Sequence, residues 1–310
     1  MPDRAPPAVA SLADLLSRVS GRRTPPRVAI ARSADAFVLS AAAEAVARNL
    51  AEPILIGDMA RTRHIAQELG VPICDFESHQ ADDDASAVQI AVELFKSGRA
   101  AFIMKGLVPT ATLLKAILAK DTGVPRDGGI LSHVTLFEAP SDGRLMLLSD
   151  AAVNIRPNLQ RKVEIVKNAL WVARRLGLCA PRVAMLAATE KVNYPAMPAT
   201  LDADIIAKMG ADGAFGDALV AGPLSLDLAV SPASAAAKGF SGPVAGRAEV
   251  LIAPDIESGN VLYKALATMA GRTLASVVVG SRVPVVVPSR ADSEASKLHS
   301  MALAAFLAQP

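Results

Sequence analysis

The sequence predicts an α/β protein of two three-layer domains, each a mainly parallel sheet covered by helices. Short aliphatic or β-branched runs alternate with helix-like stretches almost throughout the 310 residues, which is the rhythm of βαβ units. Hydrophobic residues make up 52% of the chain but aromatic ones only 4%, so the core is aliphatic, as strands buried on both faces require. The length corresponds to two domains of about 150 residues each.

The elements follow in order. Residues 1–26 carry a short amphipathic helix pattern in which Asp14 and Arg18 interrupt any continuous apolar core, so no signal peptide is indicated and a cytoplasmic location is expected. The apolar runs 28–31, 54–57, 71–74 and 101–105 read as strands, separated by helical stretches at 36–50, 60–69 and 85–97. Runs 131–139 and 145–149 flank Ser141-Asp142-Gly143 and read as a β-hairpin that breaks the rhythm, a natural place for a change of domain. A second series follows Asp150: helix 158–176, strand 183–187, helix 201–209, strand 218–221, helix 229–237, strand 250–253, helix 259–270 and strand 276–280. Val285, Val286 and Val287 form a last buried strand, and Leu298, Met301, Ala302, Ala305 and Phe306 recur at helical spacing behind it. The apolar region 274–288 contains Arg282, Pro284 and Pro288 and is too short to cross a bilayer as a helix, so it reads as two core strands.

Composition narrows the function classes. The 32 basic and 30 acidic residues are interspersed, without the basic run that nucleic-acid or membrane-surface binding would want. Cys74 and Cys179 are too few for a disulfide framework or a cysteine metal site. There is no G-x-x-x-x-G-K-[ST] loop, G-x-G-x-x-G turn or G-x-S-x-G elbow, and the four histidines have no metal-ligand spacing.

The strongest local signal is VVVPSRADSEASKL, residues 285–298. A buried strand there runs into a polar turn carrying Ser289, Arg290 and Asp292 and then into a helix. First-turn N–H groups, a planar guanidinium and a hydroxyl together suit an anion. Capping of the helix by Asp292 or Ser289, with Arg290 a solvated charge, explains the same residues. Because ligands of open parallel sheets sit outside the strands' carboxyl ends, two further sets count as candidates. Lys105-Gly106 with Thr110 follows one strand, and Asp255 with Gly259 and Asn260 follows another. A surface lysine and a helix cap are the plainer readings of these.

Six blocks in order carry a resemblance: MKGLVPTATLLKAIL (104–118), ILSHVTLFE (130–138), SDAAVNIRPNLQRKVEIVKNA (149–169), EKVNYPAMPATLDA (190–203), APDIESGNVLYK (253–264) and PSRADSEASKLHSMALA (288–304). Together they resemble the phosphate acetyltransferase and phosphate butyryltransferase family, with the Met-Lys-Gly and Leu-Ser-His blocks closer to the butyryl branch. The resemblance implies a fold like that of the isocitrate and isopropylmalate dehydrogenases. Its first domain would comprise 1–150 plus 285–310 and its second 151–284, with the active cleft between them. It implies exchange of a short acyl group between coenzyme A and inorganic phosphate, coenzyme A being a substrate, with no tightly bound cofactor and no metal. It also implies a homodimer or higher homo-oligomer; composition and segment length give the expectation of no nucleic-acid or membrane partner.

On that resemblance Ser289, Arg290 and Asp292 are the expected catalytic residues. Lys105, Gly106, Thr110, Asn154, Asp255, Gly259 and Asn260 are the expected substrate-binding residues. Three positions depart from the acetyltransferase pattern: Ser296 stands where an Asp follows the Ser-Arg pair, Ala151 where acetyl-specific members carry Cys, and Ala221 where Asp is usual. Asp292 or Glu294 is then the available base. Two other classes stay open: a non-catalytic acyl-CoA-binding homologue that kept the fold, and a metal- and NAD-dependent dehydrogenase of the same fold.

Overall fold

The computed structural model describes residues 7–289 and 291–308; Arg290, expected to hold the phosphate, lies outside the described residues. The first half of the chain runs α1 (Leu12–Ser20), β1 (Arg27–Ala31), α2 (Ala36–Ala47), β2 (Glu52–Gly57), α3 (Met59–Leu69), β3 (Glu77–Gln80), α4 (Asp84–Lys96), β4 (Phe102–Lys105), α5 (Thr110–Ile117), β5 (Ser132–Glu138) and β6 (Leu145–Ser149). The second half runs α6 (Leu159–Arg175), β7 (Arg182–Leu186), α7 (Pro198–Ala211), β8 (Leu219–Leu224), α8 (Leu226–Val230), α9 (Pro232–Ala237), β9 (Val250–Ile252), α10 (Ile256–Lys264), β10 (Leu274–Val279), β11 (Val285–Val286) and α11 (Glu294–Leu307). Among the described residues no helix is long and apolar enough to cross a membrane.

The chain divides into two compact units. The terminal unit holds Leu12–Leu131 and the described residues of Thr273–Pro310. The central unit holds Ser132–Arg272 and the described residues of Met1–Ser11. These limits differ from the expected ones, which fell after 150 and before 285. The hairpin β5-β6 goes with the central unit because β6 pairs in parallel with β9, Ser149 opposite Ile252. Strand β10 goes with the terminal unit because it pairs antiparallel with β11 and packs on α11.

The terminal unit's sheet has the order β3-β2-β1-β4-β11-β10. All neighbours are parallel except β10 with β11. The chain builds outward from β1 through β2 to β3 and then crosses back to place β4 on the other side of β1. The two loops leaving β1 and β4 therefore splay apart at a topological switch point, where open α/β sheets make their ligand crevices. Phe102, Ile103 and Met104 of β4 are buried, each contributing about 1.5–3 kcal/mol of hydrophobic stabilisation. Two serines of α11 fasten it to β10. Ser296 Oγ accepts from Leu274 N–H at 3.0 Å, and Ser300 Oγ accepts from Ser276 N–H at 2.8 Å.

The central unit's sheet has the order β5-β6-β9-β7-β8, antiparallel between β5 and β6 and parallel elsewhere.

Two expected elements differ. The run 71–74 is not a strand; the sheet's edge is instead the polar Glu77–Gln80. Pro72 has no N–H to give a ladder, whereas an edge strand needs only one paired side and tolerates polar residues. The single helix expected over 229–237 is two short ones, because Pro232 starts a new helix capped by the Ser231 hydroxyl.

Candidate active site

In the terminal unit, the loops that follow β1, β4 and β11 enclose a cavity of about 350 Å³. Its walls include Asp35 and Phe37 after β1, Lys105 at the end of β4, Gly106 and Thr110 after it, Ser289 after β11, and Lys297 of α11. Register explains the meeting: Ala31 lies opposite Lys105, and Val286 opposite Met104, so three strands end at nearly one level.

Gly106 is required by close approach. Its N–H donates to Ala31 O at 2.8 Å and the next N–H, of Leu107, donates to Arg32 O at 2.9 Å. A Cβ on Gly106 would overlap the Arg32 carbonyl oxygen. The backbone it approaches is thus the loop after β1, which holds the switch point together. The Lys105 ammonium is drawn back over its own loop, the one after β4, and donates to Gly106 O at 3.1 Å and Val108 O at 3.2 Å. Thr110 opens α5, whose first turn has no side-chain cap. Such a turn carries partial positive charge.

At Ser289 the chain makes a tight turn. Asp292 Oδ2 accepts from Ser289 N–H at 2.8 Å, and Asp292 N–H donates back to Ser289 O at 3.1 Å. The cap of α11 is neither of the two residues expected; Ser293 Oγ accepts from Ser296 N–H at 3.1 Å. Ser289 and Asp292 are therefore not consumed as helix caps.

Lys297 was not among the expected residues. It is buried, and its Nζ has no hydrogen-bond partner among the described residues. It lies 2.8 Å from the centroid of the Phe37 ring. Burial pushes its pKa below the ordinary lysine value, while Asp292, Glu294 and Asp35 oppose that shift.

The remaining expected residues gather in the central unit, around the loop that leaves β6. Asp150, buried there, accepts from Ala152 N–H at 2.8 Å, Val153 N–H at 3.0 Å and the Asn154 side-chain amide at 2.6 Å. Asn154 thus closes an Asx-type turn, its own oxygen accepting from Arg161 at 3.3 Å. Gly259 lets α10 press on this loop, since a Cβ there would overlap Asp150 O. Asn260 adds a bond to Ala151 O at 3.1 Å. Asp255 caps α10 through Ser258 N–H at 2.8 Å. Burial would raise its carboxyl pKa, but the Ser258 hydrogen bonds and the charges of Lys162 and Arg156 hold it below the ordinary value. Asp255 also lines a mostly apolar cavity of about 570 Å³ with Leu186, Met197, Leu226 and Val261.

The family model for phosphate acetyl/butaryl transferase matches residues 82–305. The chain is 42% identical over 282 residues to the phosphate butyryltransferase of Clostridium acetobutylicum, covering 91% of this chain and 93% of that one. It is 39% identical over 284 residues to the phosphate acetyltransferase of Thermotoga maritima, covering 91% and 95% of the two chains. In structure it is similar to a branched-chain phosphotransacylase from Enterococcus faecalis, at TM-score 0.79 and 34% identity over 91% of this chain and 99% of that one. The cavity residues from Lys105 to Lys297 all fall inside the matched span, and the chain belongs to the phosphate acetyl/butaryl transferase family.

Proposed function

We propose that this protein exchanges a short acyl group, acetyl or butyryl, between coenzyme A and inorganic phosphate: acyl-CoA + phosphate = acyl phosphate + CoA. The observation that carries this reading is the convergence of Lys105, Gly106, Thr110 and Ser289 on one cavity at the switch point of the terminal sheet.

The roles follow from what the reaction needs. A phosphate oxygen attacks the thioester carbonyl, a tetrahedral oxyanion forms, and the C–S bond breaks to release the coenzyme A thiolate, which takes up a proton. In reverse, the thiol gives its proton to a carboxylate, its sulfur attacks the carbonyl carbon of the acyl phosphate, and the acyl C–O bond breaks to release inorganic phosphate. Arg290, adjoining Ser289 in sequence, grips the phosphate with its planar fork. Ser289 donates its hydroxyl to the acyl oxygen or the phosphate. Lys105 and the start of α5 at Thr110 add positive potential, and Asp292 takes the thiol proton. Holding two substrates together removes translational freedom and supplies much of the rate enhancement. Asp255, Asn154, Gly259 and Asn260 are assigned to the coenzyme A thioester, with the apolar cavity beside Asp255 suited to its apolar parts. The same reading makes the enzyme cytoplasmic and a homodimer or higher homo-oligomer, without metal or tightly bound cofactor.

A chain-length series of acyl-CoA thioesters with phosphate, following release of free thiol, tests the function and ranks the acyl groups together. Phosphate-dependent release from acetyl-CoA or butyryl-CoA is expected; no release from any member of the series would sink the reading. One methylene more or less changes binding by only about 1–3 kcal/mol, so neighbouring chain lengths should differ by degree.

A further inference from the structure

Lys297 holds a position that packing alone does not explain. The residue is 3% exposed. Its Nζ has almost no exposed surface and no hydrogen-bond partner among the described residues. An ammonium carries three donors and is strongly hydrated in water, so leaving all three unmet in the interior is costly. The Phe37 ring face, 2.8 Å from Nζ at its centroid, returns part of that cost. The nearby carboxylates do not return the rest as hydrogen bonds. Asp35 accepts from the N–H groups of Phe37 and Val38 at 3.0 and 3.1 Å, and Asp292 accepts from Ser289 N–H at 2.8 Å. A methionine would fill the same length of α11 with no charge to bury. What distinguishes the site is that Lys297 lines the cavity shared by Lys105, Thr110 and Ser289. An anion there would supply the acceptors the ammonium lacks.

We propose that Lys297 is a phosphoryl ligand of this cavity, its ammonium donating to an anionic oxygen of the group bound beside Ser289 and Lys105. The inference rests on the acyltransferase reading for the identity of that anion. Two sources share the chemistry: inorganic phosphate or the phosphoryl end of acyl phosphate, and the phosphates of coenzyme A.

The test uses the full chain as wild type and as Lys297→Met, with Lys297→Gln in parallel. Thermal unfolding is read alone, with inorganic phosphate and with coenzyme A, and the KM for phosphate and for acyl-CoA is measured in the thiol-release assay. Without ligand, Lys297→Met should be at least as stable as the wild type. Its KM for phosphate should rise about ten- to hundredfold, the usual effect of losing a hydrogen bond to a charged group. The phosphate-induced rise in Tm should vanish and the KM for acyl-CoA should stay unchanged. Loss of the coenzyme A effect in place of the phosphate effect would keep Lys297 as a phosphoryl ligand and assign the anion to coenzyme A. Both ligand effects surviving in Lys297→Met would overturn the proposal. So would a Met variant less stable than wild type without ligand, or failure of both variants to fold, since the ammonium would then be structural. The Tm shift needs no turnover. Lys297-dependent phosphate binding in a protein without acyl transfer would keep this inference and remove the proposed reaction; transfer with Lys297-independent phosphate use would do the reverse.

Discussion

Asp292 reaches back to the backbone of Ser289 at 2.8 Å, so the carboxylate proposed to take the thiol proton also holds the turn that presents the proposed hydroxyl. Asp292→Asn keeps an acceptor for that N–H but cannot act as a base. The rate of acyl transfer to coenzyme A should fall by about a hundred- to ten-thousandfold, with little change in the unfolding midpoint. Glu294→Gln, in the first turn of α11, should keep its rate. If both variants retain full rate and an unchanged pH profile, the proton leaves by another route. Arg290→Lys should lose most activity although the charge remains, because lysine cannot form a planar bidentate contact; near-normal turnover with normal phosphate dependence would remove Arg290 from the site. Ser289, Lys105 and Asp255, whose roles are proposed, could be singled out in the sequence because each stands at or just past the carboxyl end of a strand. Lys297 was not, since a lysine between Ser296 and Leu298 in a helix looks the same whether its stem covers surface or its ammonium is buried. Asp150 was also missed, because it acts through a turn that it closes with Ala152, Val153 and Asn154 only in the folded loop.

At the scale of elements, β10, β11 and α11 form the part of the terminal unit that the chain adds last. Most of α11 is buried, from Ser296 to Leu307, and two of its polar positions, Ser296 and Ser300, are spent on β10. Ser296 stands where the acetyltransferase pattern has Asp, and its hydroxyl accepts from Leu274 N–H at 3.0 Å. Ser296→Ala should therefore destabilise the protein by about 1–3 kcal/mol, the cost of leaving a buried donor without its acceptor. Denaturant unfolding at constant slope measures it, and an unchanged midpoint would remove the fastening role. Most strands and helices were legible from periodicity, because a β-branched run such as 285–287 favours a buried strand, although β11 ends at Val286 and Val287 is half-buried. The edge strand Glu77–Gln80 was not, since its side chains are polar and its pairing with β2 is a tertiary matter. The division into units was partly hidden for the same reason. The pairing of β6 with β9 joins residues about a hundred positions apart, and sequence spacing carries no strand order.

At the scale of the molecule, the protein is a phosphate acyltransferase whose charge stabilisation is proposed to come from Arg290, Lys105 and backbone N–H groups. No Lewis acid enters its steps, so EDTA should leave the rate unchanged; inactivation reversed by one divalent ion would favour a metal-dependent reaction of the same fold. The most direct measurement of the central claim is thioester absorbance on mixing the protein with coenzyme A and either butyryl phosphate or acetyl phosphate. The account predicts that absorbance grows with wild-type protein and requires both substrates. A folded protein that forms no thioester from either acyl phosphate would contradict it.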